Sequence, residues 1–155
     1  MFPIPIAQNI SVQEDIDKSR LTLATKLANI SEFIAKLPLG FSTKIGNTGN
    51  GISSGQRQRI LIARALYKNP DFLFLDEATS TLDANNEKVI IENLANFFSG
   101  RTVVVIAHRL STVKHADQIV VMENGNIVEL GNHQSLTILK GKYYELVKNQ
   151  LELGT

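Results

Sequence analysis

Two acids, Asp76 and Glu77, follow the apolar run FLFL at 72–75. An unpaired charge resists leaving water, so acids at the end of an apolar strand call for a cationic or reactive neighbour. One fitting chemistry is phosphate cleavage. Asp76 would hold Mg2+ through water, as hard oxygen ligands do. Glu77 would orient and deprotonate an attacking water. A strand that merely ends in a helix-capping acid gives the same pattern. A second cluster, ISSGQ at 52–56, sets Ser53, Ser54, Gly55 and Gln56 where a helix would begin. Unpaired N–H groups and a partial positive charge at a helix N-terminus suit a phosphate. An ordinary N-cap after a glycine-rich loop reads alike. The third candidate is His108, just past VVVIA at 103–107. A neutral imidazole can donate a hydrogen bond to a terminal phosphate, or serve structure alone.

These residues need elements to hold them. SVQE at 11–14 has the form of a capping box and predicts a helix start. Ile16, Leu23, Leu27, Ile30 and Ile34 then recur at helical spacing, as two helices broken near 29–31. Four glycines between 46 and 55 predict a loop. A helix over 54–68 should end at Asn69-Pro70, and the FLFL strand follows. Asp83 can cap a helix over 84–98, with Ile90, Leu94, Phe97 and Phe98 on one face. The run at 102–107 reads as a strand buried on both faces of a parallel sheet. ENGN at 123–126, between apolar runs, predicts a hairpin. Short helices complete the chain. Strands alternating with helices give an α/β class.

The 155 residues carry 16 basic and 15 acidic side chains, a net charge of +1. That balance gives no general pull toward nucleic acid or an acidic membrane surface. The chain contains no cysteine, which excludes disulfides, thiolate metal sites and a cysteine nucleophile. No apolar run reaches the roughly 18 residues of a membrane span, and MFPIPIAQNI lacks the basic start of a secretory signal.

Taken in order, ISSGQRQR, FLFLDEATSTLD and VVVIAHRLST resemble the nucleotide-binding domain of ABC transporters, over nearly the whole chain. Residues 52–56 resemble that family's signature motif, 72–77 its Walker B strand, 80–83 its D-loop and His108 its switch histidine. The AHRLST context resembles the exporter branch, and within it bacterial exporters of peptides or bacteriocins. The resemblance implies a partial P-loop NTPase (RecA-like) core with a helical subdomain, divided at 1–50 and 51–155. It implies ATP and Mg2+ as cofactors, with Asp76 toward the metal and Glu77 and His108 catalytic. Ser53, Ser54, Gly55 and Gln56 would reach ATP held by a second nucleotide-binding domain in a head-to-tail dimer. Ser80 and Asp83 would line the dimer seam. A transmembrane domain would be the other partner, and the cytoplasmic face of the membrane the location. No nucleic-acid partner is implied.

Two departures follow. Ile52 and Ser54 stand where the family usually has Leu and Gly, and Ser54 adds a Cβ where backbone nears phosphate. More consequentially, no GxxxxGK[ST] string occurs, since Gly141-Lys142 is followed by Tyr143. The Walker A strand and loop are therefore expected to be lacking, together with several charge-assisted phosphate bonds of about 1.5–3 kcal/mol each. The isolated chain is expected neither to bind ATP tightly nor to hydrolyse it. Two apolar strand edges are expected to lack partners, which favours self-association. The alternatives are a non-catalytic truncated or regulatory module, and the C-terminal lobe of a DNA-repair or chromosome-maintenance ATPase. No sustained heptad pattern or basic stripe supports the latter. Arg57 and Arg59 are expected in salt bridges on a helix face, and His115 exposed on a helix.

Overall fold

A computed structural model describes residues 2–46, 51–76, 78–79, 81–106 and 110–153. The chain separates into two compact units, 1–104 and 105–155.

In the first unit, β1 (Ile4–Pro5) pairs antiparallel with β2 (Lys44–Ile45). Between them lie α1 (Ile6–Ser11), α2 (Lys18–Leu27), α3 (Ser31–Ala35) and a 3-10 turn, Gly40–Ser42. The expected capping box at 11–14 does not start a helix. Ser11 instead ends α1, Val12 takes a left-handed φ of 56°, and the Ser11 hydroxyl bonds the backbone of Gln13 in a local turn. That is the competing use of a short polar side chain. The next helix is capped by Asp17, which accepts from the N–H groups of Ser19 and Arg20. The break between α2 and α3 falls as expected, with Asn29 at φ 51°.

The longer helix α4 (Ser54–Tyr67) packs against α1 and α2. Ile6, Ile10, Ile30, Ile34, Ile45 and Ile60 are all buried to 1% exposure or less. Each such side chain is worth roughly 1.5–3 kcal/mol of transfer free energy, so this cluster holds the helices together. Polar ties pin its ends. The Asp17 N–H donates to the Tyr67 hydroxyl at 3.0 Å. Arg64 donates from Nε to the Asn9 carbonyl at 2.6 Å and from a terminal nitrogen to Asn9 Oδ1 at 3.2 Å. Asn9, fully buried, in turn holds the backbone of Phe2 and Ile4.

β3 (Phe72–Asp76) follows α4, and α5 (Ala84–Phe97) precedes β4 (Thr102–Ile106). Among the described residues β3 and β4 pair with each other alone. Burial on both faces does not occur. Leu73 and Leu75 are buried, but Phe72 is 63% and Phe74 72% exposed, and Val104 is also exposed. An all-apolar run cannot reveal from sequence which of its two faces is covered.

In the second unit, α6 (Leu110–Val113) leads to β5 (Ile119–Glu123) and β6 (Asn126–Gly131), an antiparallel hairpin. Asn124 and Gly125 both have positive φ, as a two-residue primed turn requires. α7 (His133–Leu139) and α8 (Lys142–Leu153) close the unit. Ile119, Val121, Leu136 and Tyr143 form its core. His115 is exposed as expected but lies in a turn beyond α6. His133 Nδ1 meets the Tyr143 hydroxyl at 2.8 Å, a packing role.

Candidate functional site

Ser53 is the N-cap of α4. Its side chain accepts from the Gln56 N–H at 3.2 Å, while Gln56 Oε1 accepts from the Ser53 N–H at 2.8 Å. This reciprocal box satisfies two groups and fixes the first turn. Ser53 and Ser54 remain exposed. The helix is 14 residues long, so its N-terminus presents outward-facing N–H groups beside two hydroxyls.

Gly55 follows in the same turn. A Cβ built there would lie 3.4 Å from the Thr81 carbonyl oxygen and 3.6 Å from Leu82 Cδ2, both ordinary contacts. The start of α4 therefore rests on the segment that leads into α5. Among the described residues nothing forbids a methyl group at 55.

Thr79, Leu82 and Asp83 are each tied by hydrogen bonds. Thr79 donates its hydroxyl to the buried Glu87 carboxylate at 2.9 Å, and the Leu82 N–H bonds the Thr79 carbonyl at 3.0 Å. Leu82 is buried. Asp83 caps α5 and accepts from the Asn86 N–H at 2.9 Å and from Asn86 Nδ2 at 2.6 Å. These bonds, the backbone one first, hold the Asp83 carboxyl below its ordinary range.

Asp76 stands exposed at the end of β3 and takes no part in this network among the described residues. No group of three or more His, Asp or Glu among those residues could hold a metal. A single exposed carboxylate fits a hydrated Mg2+ that keeps most of its water and takes further oxygens from a phosphate. It does not fit a cage made of protein alone. Glu77, Ser80 and His108 lie outside the described residues.

Among the described residues Arg59 makes hydrogen bonds to neutral groups in place of the expected salt bridge. Its NH1 donates to the Asn29 carbonyl at 2.5 Å and to Asn86 Oδ1 at 3.0 Å. Burial lowers its pKa, against the attraction of Asp83. Arg57 is exposed. Sequence reading gave no role to Asn29, Asn86 or Asn9. Their signal was faint, since single asparagines in helical stretches are common at ends and surfaces alike.

The family model described as ABC transporter matches residues 5–80. The chain is 50% identical over 156 residues to the multidrug resistance protein pgp-1 of Caenorhabditis elegans, covering 97% of the chain and 12% of that protein. It is 52% identical over 151 residues to the ATP-dependent lipid A-core flippase of Saccharophagus degradans, covering 97% of the chain and 26% of that protein. A solved structure of a bacterial Atm1-family ABC exporter with ATP bound superposes with a TM-score of 0.91 at 39% identity, over 97% of this chain and 27% of that one. The chain thus spans about a quarter or less of these relatives' length.

Proposed function

The chain belongs to the ABC transporter family as part of a nucleotide-binding domain, and from that premise we propose that it serves an exporter by coupling ATP hydrolysis to transport. The observation that carries this reading is the start of α4, a capped helix N-terminus with exposed Ser53 and Ser54 against the 81–82 segment. It offers N–H groups and hydroxyls to a phosphate. We assign Ser53, Ser54, Gly55 and Gln56 to ATP held by a second, head-to-tail nucleotide-binding domain. Asp76 holds Mg2+ through water, Glu77 is the general base and His108 contacts the terminal phosphate. Ser80 and Asp83 face the dimer seam. Residues 1–50 form the helical subdomain and 51–155 the C-terminal part of a P-loop NTPase core. A transmembrane domain is the second partner, and the cytoplasmic face of the membrane is the site of action.

The relatives bear on the alternatives. A flippase and an exporter are among them, which favours neither a DNA-maintenance lobe nor a non-catalytic module. These relatives are named for different cargoes, a multidrug resistance protein and a lipid A-core flippase among them, so no peptide or bacteriocin cargo is proposed.

No phosphate-loop string is present, so ATP grip must come from other polypeptide. Isothermal titration of the isolated chain with Mg–ATP should give no binding at micromolar ligand. Fusion behind a lobe that carries GxxxxGK[ST] should restore hydrolysis, and Glu77→Gln in that fusion should lower kcat by roughly 100-fold or more. Micromolar binding by the isolated chain would overturn the missing-grip argument. A folded fusion without hydrolysis would overturn the ATPase reading.

A further inference from the structure

The side-chain amide of Asn86, in the first turn of α5, is used at both ends. Nδ2 donates to Asp83 Oδ2 at 2.6 Å. Oδ1 accepts from Arg59 NH1 at 3.0 Å and from Asn29 Nδ2 at 2.9 Å. The orientation of this amide is forced by chemistry. A guanidinium only donates, so Oδ1 must face Arg59; an ionised carboxylate only accepts, so Nδ2 must face Asp83. An amide carries its donor and its acceptor on separate atoms, so it can serve both partners at once.

The elements joined are far apart in sequence. Asn29 sits between α2 and α3 in a left-handed conformation, and its own carbonyl accepts from Arg59. Arg59 lies one turn of α4 beyond Gly55. Asp83 ends the segment on which Gly55 rests. The start of α4 and the segment at 81–83 lie close together at Gly55 and are held by the Arg59–Asn86–Asp83 chain. Arg59 is partly withdrawn from water, and Nε has no partner among the described residues. That cost makes the bonds from its NH1 group the reason for the pose.

We propose that Asn86 is a positioning residue whose amide locks Asp83 to the helix bearing Ser53–Gln56, so that signature helix and 81–83 segment move as one piece. The lock itself stands on geometry. Its consequence for catalysis rests on the ATPase reading above.

The absence of cysteine allows clean labelling. Spin labels at Arg57→Cys and Asn85→Cys, both exposed and outside the network, report the position of α4 against the start of α5. Asn86→Ala should widen the interspin distance distribution measured by electron paramagnetic resonance at least twofold. Asn86→Asp keeps the acceptor for Arg59 and Asn29 but opposes Asp83 with a like charge. It should widen the distribution too, and it guards against a fold lost in the alanine variant. An unchanged width in folded Asn86→Asp overturns the lock. In an assembled transporter carrying the chain, Asn86→Ala should lower kcat about tenfold with the KM for ATP within twofold. A raised KM with unchanged kcat overturns the positioning role. An assembly whose parent shows no ATPase refutes the ATPase reading, and the label widths still decide the lock.

Discussion

Around α4 the apolar side chains are enclosed, with Ile60 and five other isoleucines at 1% exposure or less, whereas β3 leaves Phe72 and Phe74 mostly in water. Both stretches are apolar in sequence. They differ in what surrounds them. α4 meets α1 and α2, which supply matching stripes, while β3 meets cover on one face and, among the described residues, a strand on one edge. Helix α4 thus sits on an enclosed core, and the strand that ends in Asp76 does not. Candidate groups on the first are fixed by local packing. Those on the second depend on whatever covers the open face.

The sharpest way to break this contrast is to damage the enclosed side. Ile60→Ala removes three carbons from a site with no exposure, next to neighbours in fixed helices. Such truncations cost about 2–5 kcal/mol. Urea unfolding followed by helical circular dichroism should show that loss. A cost below about 1 kcal/mol would mean that the α4 core is loosely packed and the contrast false.

A smaller effect should come from the polar ties. Arg64→Met keeps an apolar stem but removes the bonds to the Asn9 carbonyl and Oδ1, and the stacking over Phe2 at 5.9 Å. Hydrogen bonds to a charged group contribute roughly 1.5–3 kcal/mol. Asn9 retains its bonds to Phe2 and Ile4, so the loss should fall near the lower end. Hydrogen exchange should rise at residues 2–10 before it rises in α2. Uniform exchange across both would show that Arg64 supports the whole cluster rather than its N-terminal edge.

Legibility from sequence follows the same division. The limits of α4 and α5, the caps at Ser53 and Asp83 and the Asn-Gly hairpin were readable because short-range chemistry dictates them. Each needs only a capping side chain, a turn residue or a spacing. SVQE misled because Ser11 can satisfy its hydroxyl in a turn as well as in a capping box, and only the packing of α1 decides. The half-exposed state of 72–75 and 102–106 was hidden because burial depends on a partner, which a strand's own residues do not specify. The Arg59–Asn86–Asp83 chain was hidden because its members lie 27 and 3 residues apart on different elements. Motif resemblance points to Ser53–Gln56 and Asp83, but it says nothing of the asparagine that joins their elements.

The least effect on stability belongs to the open face. In Phe74→Ser the ring removed is 72% exposed, so little transfer free energy is at stake, and exposed substitutions usually fall within about 0.5 kcal/mol. Its effect should appear in association instead. Exposed aromatic rings beside a strand edge that has no partner among the described residues form a surface that attracts other chains. Sedimentation velocity should show a concentration-dependent mass for the parent chain and a weaker dependence for the variant. A loss of more than about 1 kcal/mol would imply that the ring is covered in solution. If that loss also grew with protein concentration, self-association would be supplying the cover. The open face and the enclosed core would then differ only in whose atoms enclose them.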